Sequence, residues 1–349
     1  MISFRIHPKA AAWLCAGFLA TAGMAVAQQP SFYVRGKQAF AEKRYAEAAK
    51  LFDESATANE AAADPTAADS LLMEGKALSN IGDLAAADRV LNRYLRKDER
   101  SAPALYLLGY VLQRENKPRE SLTTFTKAAA VRTPVAEDLR IVALDYVLLN
   151  DYLDAIRWLT RAVKLDPLNA AAWYDLGRSQ MNQGNFVAAQ QAFDHTLALS
   201  PKDVKALNNL GLSYEAQNRI PDALHAYELA ISYQKEAAHP SEQPLLNDGN
   251  LLISLNRAVD AIAVLEPAIQ IAPKDAKCHE ALGRAYLQAK RLPEAQQQFE
   301  QAVSLAPDNP RLHYQLGRLY HLTGAEEKAA AEFKLSEKLY GSHSTSDGK

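Results

Sequence analysis

The groups that could do chemistry in this chain are eight histidines, two cysteines and a nearly balanced set of charges. Imidazoles at helical or repeat spacing can share a divalent metal, and His279 and His313 lie 34 residues apart, with His321 eight residues, about two helical turns, beyond the second. The remaining histidines, His7, His195, His225, His239 and His343, form no HExxH pattern, and there is no paired-cysteine spacing. Cys278 directly precedes His279, but neighbouring helix residues point about 100° apart, so a thiolate–imidazolium pair is not expected. There is no GxSxG elbow and no glycine-rich phosphate loop. The expectation is a chain with no catalytic residues, no metal and no cofactor. His279 and His313 share a register position with Trp173, which predicts packing roles for both.

The elements that position these groups follow a strict beat. A small residue recurs at Gly75, Gly109, Ala143, Gly177 and Gly211, then after a four-residue insertion at Gly249, Gly283 and Gly317, with Gly36 as an outlying first member. Twelve residues after each comes Ala48, Ala87, Ser121, Ala155, Ala189, Ala223, Ala261, Ala295 or Ala329. Two small positions per 34-residue unit let paired helices approach closely, and regular recurrence means that each unit stacks on the next.

The unit from Asp166 to Ser200 shows the design. Pro167 and Asn169 suit a helix start, by a fixed φ and by capping. A first helix is predicted over 170–183, carrying Trp173, Leu176 and Gly177, and Gly184-Asn185 ends it. A second is predicted over 186–199, with Ala189, Phe193, Thr196 and Leu197 on one face. Pro201 restarts the cycle. Turns are predicted at Gly82-Asp83, Asn116-Lys117, Asn150-Asp151, Asn218-Arg219, Asn256-Arg257 and Gly324. No sustained period-two alternation competes. Two stretches break the period, Ala56 to Asp69 and Gln234 to Pro244, and both are expected to be longer turns.

Composition is 48% hydrophobic and 23% charged, which suits a helical globular chain. The first residues differ. Arg5, His7 and Lys9 precede an apolar run from Ala10 to Val26, and Ala25-Val26-Ala27 sets small residues before Gln28. This predicts a signal peptide over 1–27, cleaved after Ala27, and hence an exported, periplasmic or secreted chain. An uncleaved anchor is the alternative; lipidation at Cys15 is disfavoured by bulky Trp13-Leu14 before it. Loss of Arg5 and Lys9 would take the formal charge from −2 to −4, and neither value suggests nucleic acid. Only Cys278 would remain, so no intrachain disulfide is expected. Residues 342–349 are expected to be a disordered tail, with Leu335, Leu339 and Tyr340 partly exposed at the last helix.

This pattern resembles the tetratricopeptide repeat family: a large residue, Leu-Gly, an aromatic, then Ala, an aromatic, Ala and Pro. Trp173, Leu176-Gly177, Ala189, Phe193 and Pro201 match it, as do Leu210-Gly211, Tyr214, Ala223, Tyr227 and Ala230. So do Leu282-Gly283, Tyr286, Ala295, Phe299, Ala302 and Pro307, and finally Leu316-Gly317, Tyr320, Ala329 and Phe333. The resemblance implies an all-α, right-handed α-solenoid of about nine helix-turn-helix units. Over 28–341 they fall near 31–60, 68–101, 102–135, 136–169, 170–203, 204–241, 242–275, 276–309 and 310–341. Arg35, Glu74 and Asp248 depart from the leucine position; those units are expected to be looser or to carry surface contacts.

In the resembled family the first helix of each unit lines a concave groove for extended peptides or partner proteins. The corresponding places here are Tyr174, Arg178, Lys205, Asn209, Asn247, Asn250, Lys277, Arg284, Arg311, Tyr314 and Arg318, with Tyr106, Tyr110, Arg114, Arg140, Glu215 and Gln315 beside them. Arginine forks suit carboxylates and amides suit a peptide backbone. The implied function is a non-catalytic scaffold or adaptor in the cell envelope that binds an extended or acidic peptide. The alternative is a polysaccharide-binding accessory using Tyr106, Tyr110, Tyr174 and Tyr314 as stacking platforms. Membrane contact is expected only through a partner.

Overall fold

The computed structural model describes residues 31–62, 66–235 and 237–344; the expected signal peptide and residues 345–349 lie outside them. The described residues form eighteen α-helices and no strand. A first compact unit ends at Gly82 and a second begins at Asp83.

The first unit holds α1 (Phe32–Ala41), α2 (Tyr45–Ala61) and α3 (Thr66–Ile81). Helices α1 and α2 pack as an antiparallel pair, and α2 packs on α3. The extra residues near 60 are not the longer turn expected from sequence. They extend α2 to 17 residues and α3 to 16, because an alanine-rich segment with few breakers propagates a helix at little cost.

The second unit continues the alternation. It runs through α4 (Leu84–Leu95), α5 (Ala102–Arg114), α6 (Pro118–Ala129), α7 (Ala136–Leu148), α8 (Tyr152–Leu165) and α9 (Ala170–Asn182). It continues with α10 (Phe186–Leu199), α11 (Val204–Ala216), α12 (Ile220–Gln234), α13 (Gln243–Ser254) and α14 (Ala258–Ile271). It closes with α15 (Ala276–Gln288), α16 (Leu292–Leu305), α17 (Pro310–Leu322) and α18 (Glu326–Ser344). Each odd-numbered helix from α5, the A helix of its repeat, pairs with the B helix that follows, and each B helix packs on the next A helix. Here the second insertion does form a longer turn, between α12 and α13, where Gln234 Oε1 accepts from the Ser241 amide at 3.0 Å. Helix α18 continues through Ser344, so the irregular tail expected from 342 does not begin there. Leu335 and Tyr340 are exposed on it, as expected for a terminal helix.

Within each unit the A-to-B reversals are built alike. One residue per turn adopts left-handed φ: Lys43, Gly82, Asn116, Asn150, Gly184, Asn218, Asn256, Lys290 and Gly324. The next amide then reaches back five residues, as in Asp151 N to Tyr146 O at 2.8 Å and Arg291 N to Tyr286 O at 2.8 Å, which satisfies carbonyls that the helix end leaves open. At the start of α9 the expected cap forms, Asn169 Oδ1 accepting from Ala172 N at 2.9 Å, whereas Arg44, Lys117, Arg219, Arg257 and Arg291 precede their helices without a side-chain cap.

The small-residue beat is a steric requirement. A Cβ at Gly109 or Gly177 would lie 2.7 or 2.6 Å from the ring of Phe125 or Phe193, and at Gly211 it would press on Tyr227 more closely still. Where the beat is Ala143 instead, the residue sixteen positions on is Leu159, and both are fully buried in one cluster. Ala143 and Leu159 coexist there, but a leucine does not by itself make the room: a Cβ at Gly249 would lie 2.5 Å from Leu265 Cδ2.

Candidate functional site

The A helices from α7 to α17 are joined by a ladder of polar side-chain bonds. Arg140 on α7 meets Asp175 on α9 at 2.6 Å. The amide of Asn209 on α11 donates to the Tyr174 hydroxyl on α9 at 3.0 Å. Asn247 on α13 donates to Asn208 on α11 at 2.9 Å. Arg284 on α15 donates to Asn250 on α13 at 3.2 Å. Gln315 and Arg311 on α17 both donate to Glu280 on α15, at 3.0 and 2.8 Å.

The ladder sorts the residues expected in the groove. Asn209, Asn247, Asn250, Arg284 and Arg311 are brought together with partners on neighbouring helices. Arg178, Lys205, Lys277, Tyr314 and Arg318 remain exposed, and among the described residues their side chains have no hydrogen-bond or ion-pair partner. Tyr174 is half-buried, with Arg178 6.0 Å above its ring; burial raises its hydroxyl pKa. Arg140 is held by Glu137 at 2.7 Å as well as by Asp175. Its hydrogen bonds to Glu137 raise its pKa further and hold the Glu137 carboxyl low. Burial outweighs Arg140 at Asp175, whose pKa is raised. Asp175, Asn208 and Glu280 escaped the sequence reading. Their signal was complementarity at one residue more than the repeat: Arg140 with Asp175, Tyr174 with Asn209 and Glu280 with Gln315 each lie 35 apart.

The row of tyrosine platforms is interrupted. Tyr106 is 7% exposed and its hydroxyl donates to the Arg132 carbonyl at 2.7 Å, so it belongs to the core. Tyr110 is half-buried beside Arg114, which lies 5.6 Å over its ring, and Tyr314 is 49% exposed. Glu215 is exposed and accepts from the buried Tyr227 hydroxyl at 3.1 Å.

Two pockets open on this face. One, of about 320 Å³, is lined by Arg284, Gln288, Gln315 and Arg318 with Ile253 and Leu287. The other, of about 270 Å³, lies beside it and includes Asn250, Lys277, Glu280 and Arg311. Gln288 donates to the Ile253 carbonyl at 3.0 Å and to Asn256 at 2.9 Å. The Oε1 atoms of Gln288 and Gln315 are both buried without a hydrogen-bond partner among the described residues.

His279 and His313 fill the Trp173 slot, and the slot has a specific chemistry. Trp173 Nε1 donates to the Pro167 carbonyl at 2.9 Å. His279 Nε2 meets the Pro273 carbonyl at 3.1 Å and His313 Nε2 meets Pro307 at 2.7 Å, each six residues earlier. Ring Nδ1 atoms turn to Gln298 and Glu332 on the following B helices, at 2.8 and 2.6 Å. Among the described residues no group of three or more His, Cys, Asp or Glu is arranged to hold a metal. Cys278 is buried, and burial, with Asp275 and Glu242, pushes its thiol up to about 12.

Two carboxyls sit where side-chain pattern called for apolar or small residues. Asp145 is fully buried. The Ser121 hydroxyl lies 2.9 Å from the Gly109 carbonyl and 2.6 Å from Asp145 Oδ2. One hydroxyl proton cannot serve two acceptors. With Ser121 donating to the carbonyl, the carboxyl must carry the other proton, consistent with burial pushing Asp145 up to about 7. Asp248 is 3% exposed and is likewise pushed up to about 7, chiefly by burial and then by Glu228. Glu74 is also buried. The departures at Glu74 and Asp248 therefore occupy the leucine slot inside the packing and carry no surface contact; only Arg35 is exposed.

Among the described residues no helix is long and apolar enough to cross a membrane. A human relative, the protein O-mannosyl-transferase TMTC1 of Homo sapiens, is 30% identical over 229 residues, 64% of this chain and 25% of that protein. Across the curated relatives, the matched region spans only 16–29% of their lengths. The crystal structure of a tetratricopeptide repeat protein from Parabacteroides merdae superposes with a TM-score of 0.55 at 19% identity, covering 77% of this chain and 98% of that one. That of PilW, a type IV pilus biogenesis factor, gives 0.51 at 20% identity, covering 58% and 91%. Tetratricopeptide repeat family models match residues 72–137, 143–203 and 174–242, and further ones match 252–301 and 283–324. With the paired helices, the left-handed turns and the glycine-to-aromatic contacts, these matches establish that the chain belongs to the tetratricopeptide repeat family.

Proposed function

We propose that the chain is a non-catalytic adaptor that holds a protein partner by laying an extended peptide with acidic groups across the A-helix face of its second unit. The observation that carries this is the division of labour on that face. The ladder fixes the A helices to one another, while Arg178, Lys205, Lys277 and Arg318 stay exposed and without ion-pair partners among the described residues. Exposed cations on a preorganised frame lose little on binding, since neither the helices nor a competing carboxylate must be displaced. Recognition is then a sum of modest contacts spread over several repeats.

The leader-like pattern over 1–27 supports action outside the cytoplasm, in a bacterial envelope compartment. In that setting the adaptor would reach the membrane only through its partner. The test is crosslinking and affinity capture from the native envelope with the wild type and an Arg178→Glu/Arg318→Glu variant. The expected result is loss of a specific partner from the variant. Recovery of the same partners in equal yield would remove these arginines from the binding surface.

A further inference from the structure

The cations of the A-helix face are unevenly placed. Each A helix has two corresponding positions, seven residues apart, at which they occur. Helix α9 has only Arg178 and α11 only Lys205, while α13 has the amides Gln243 and Asn250. Helix α15 fills both positions, with Lys277 and Arg284, and α17 fills both with Arg311 and Arg318.

These four cations meet in the two adjoining pockets between α13, α15 and α17. Lys277, Arg284 and Arg311 line the 270 Å³ pocket, and Arg284 and Arg318 line the 320 Å³ one, so Arg284 belongs to both. Lys277, Arg311 and Arg318 are exposed and Arg284 is partly so, which leaves all four within reach of a ligand. Their charge is only partly compensated. Glu280 is the carboxylate among the lining residues, and Arg311 holds it at 2.8 Å. Arg284 donates to the neutral Asn250 amide at 3.2 Å. Three of the four charges thus have no carboxylate partner among the described residues, and like charges gathered in one place repel one another.

An ammonium would add to that repulsion, and an uncharged side chain would leave it in place. One carboxylate would relieve one pocket. Two carboxylates relieve both, and the helices set their separation: seven residues advance a helix by about 10 Å. Neighbouring side chains of an extended peptide point to opposite faces, and those two apart share a face at about 7 Å. In polyproline II geometry, side chains three apart share a face at about 9 Å. We propose that α15 and α17 are the anchor of the groove and take an internal pair of acidic side chains, two or three positions apart, one in each pocket. The inference rests on the peptide-groove reading above and adds where the peptide is held and what spacing of acids it must carry.

The test uses the full chain and a random twelve-residue peptide library displayed on phage. Selected peptides are synthesised with amidated C-termini, and their affinities are measured by fluorescence anisotropy. The expected result is enrichment of two acidic residues two or three positions apart. Changing either acid to its amide, or moving the pair to adjacent or to six-apart positions, should weaken binding at least about tenfold. Lys277 lines only the first pocket and Arg318 only the second, and both are exposed, so each can be replaced without disturbing the packing. In Lys277→Gln the penalty for amidating one acid should fall to about twofold, and in Arg318→Gln the penalty for the other should do the same. Arg178→Gln and Lys205→Gln should each weaken binding by about twofold or less. Acids without fixed spacing, a requirement for a free C-terminal carboxylate, or equal losses at all four cations would overturn the anchor while leaving the groove intact. A library that yields no binder, or only binders indifferent to all four substitutions, would overturn the groove reading itself.

Discussion

Replacing Gly177 by alanine should loosen one repeat, although alanine is the better helix former. Helix propensity favours the substitution by about 1 kcal/mol. Against this, the new Cβ would lie 2.6 Å from Phe193 Cε1 and 2.8 Å from Cδ1 and Cζ. Ordinary carbon contacts begin near 3.5 Å, so the ring must retreat by roughly 1 Å. Phe193 is fully buried and has no empty side to retreat to. Overpacking of this kind costs about 1–3 kcal/mol, and the size of the overlap puts Gly177 near the upper end, for a net loss of about 2 kcal/mol. At Gly283 the same construction meets Phe299 at 3.0 Å, so the clash and the propensity gain should nearly cancel. Because repeat arrays do not unfold as one cooperative unit, the assay is amide hydrogen exchange resolved to individual helices. Protection in α9 and α10 should fall by about thirtyfold in Gly177→Ala, with little change in α15 and α16 in Gly283→Ala. Adding Phe193→Leu should recover part of the loss, since Ala143 with Leu159 is that combination in a neighbouring repeat. Equal losses at the two glycines, or no coupling between Gly177→Ala and Phe193→Leu, would refute the steric account.

Two further outcomes follow from buried charge and turn geometry. Asp145 has its pKa raised from 3.8 to about 7, so the folded state holds a proton that the unfolded chain releases; stability from this group is fully present below about pH 4 and is lost as pH rises to about 7. Asp145→Asn keeps a donor toward Ser121 without the charge, and should therefore stabilise its repeat by up to about 4 kcal/mol at pH 8 with the difference vanishing near pH 4, as read by hydrogen exchange in α7 corrected for the intrinsic rate at each pH; a pH-independent difference would be contrary to the reasoning. Lys290 adopts a φ of 60°, a conformation that glycine takes without strain, so Lys290→Gly should raise the stability of the surrounding repeat by about 1 kcal/mol, and weaker hydrogen-exchange protection in α15 and α16 would count against it.

The repeat, its helix pairs and most of its turns were legible because burial, small-residue contacts and caps are local and recur at fixed spacing. Helix α10 falls on the residues its periodicity predicts. What escaped was decided by context. Lys43 and Lys290 hold left-handed turns that no turn propensity announces; their position in the period forces the conformation. The alanine-rich residues near 60 look like an interruption, yet they lengthen helices, because Ala56 to Ala61 holds no glycine or proline. Tyr106 has the register of a surface platform but turns inward to the Arg132 carbonyl. On the candidate face, the cation and amide positions were visible, whereas the difference between a bonded Arg284 and an unpaired Arg318 depends on which residue the neighbouring helix presents. Gln288 escaped because one glutamine near a helix end carries no periodic signal.

The side-chain ladder from α7 to α17 also gives the second unit a mechanical character. Its rungs connect successive repeats in series, and each consists of one or two polar bonds worth about 1 kcal/mol apiece. A pull along the array would be carried by these rungs and by the packing beneath them, whereas bonds inside the helices run within single repeats. Rungs can therefore open and re-form one at a time while every helix stays wound. The face would lengthen or shorten in small discrete increments, as a ruler with elastic divisions does.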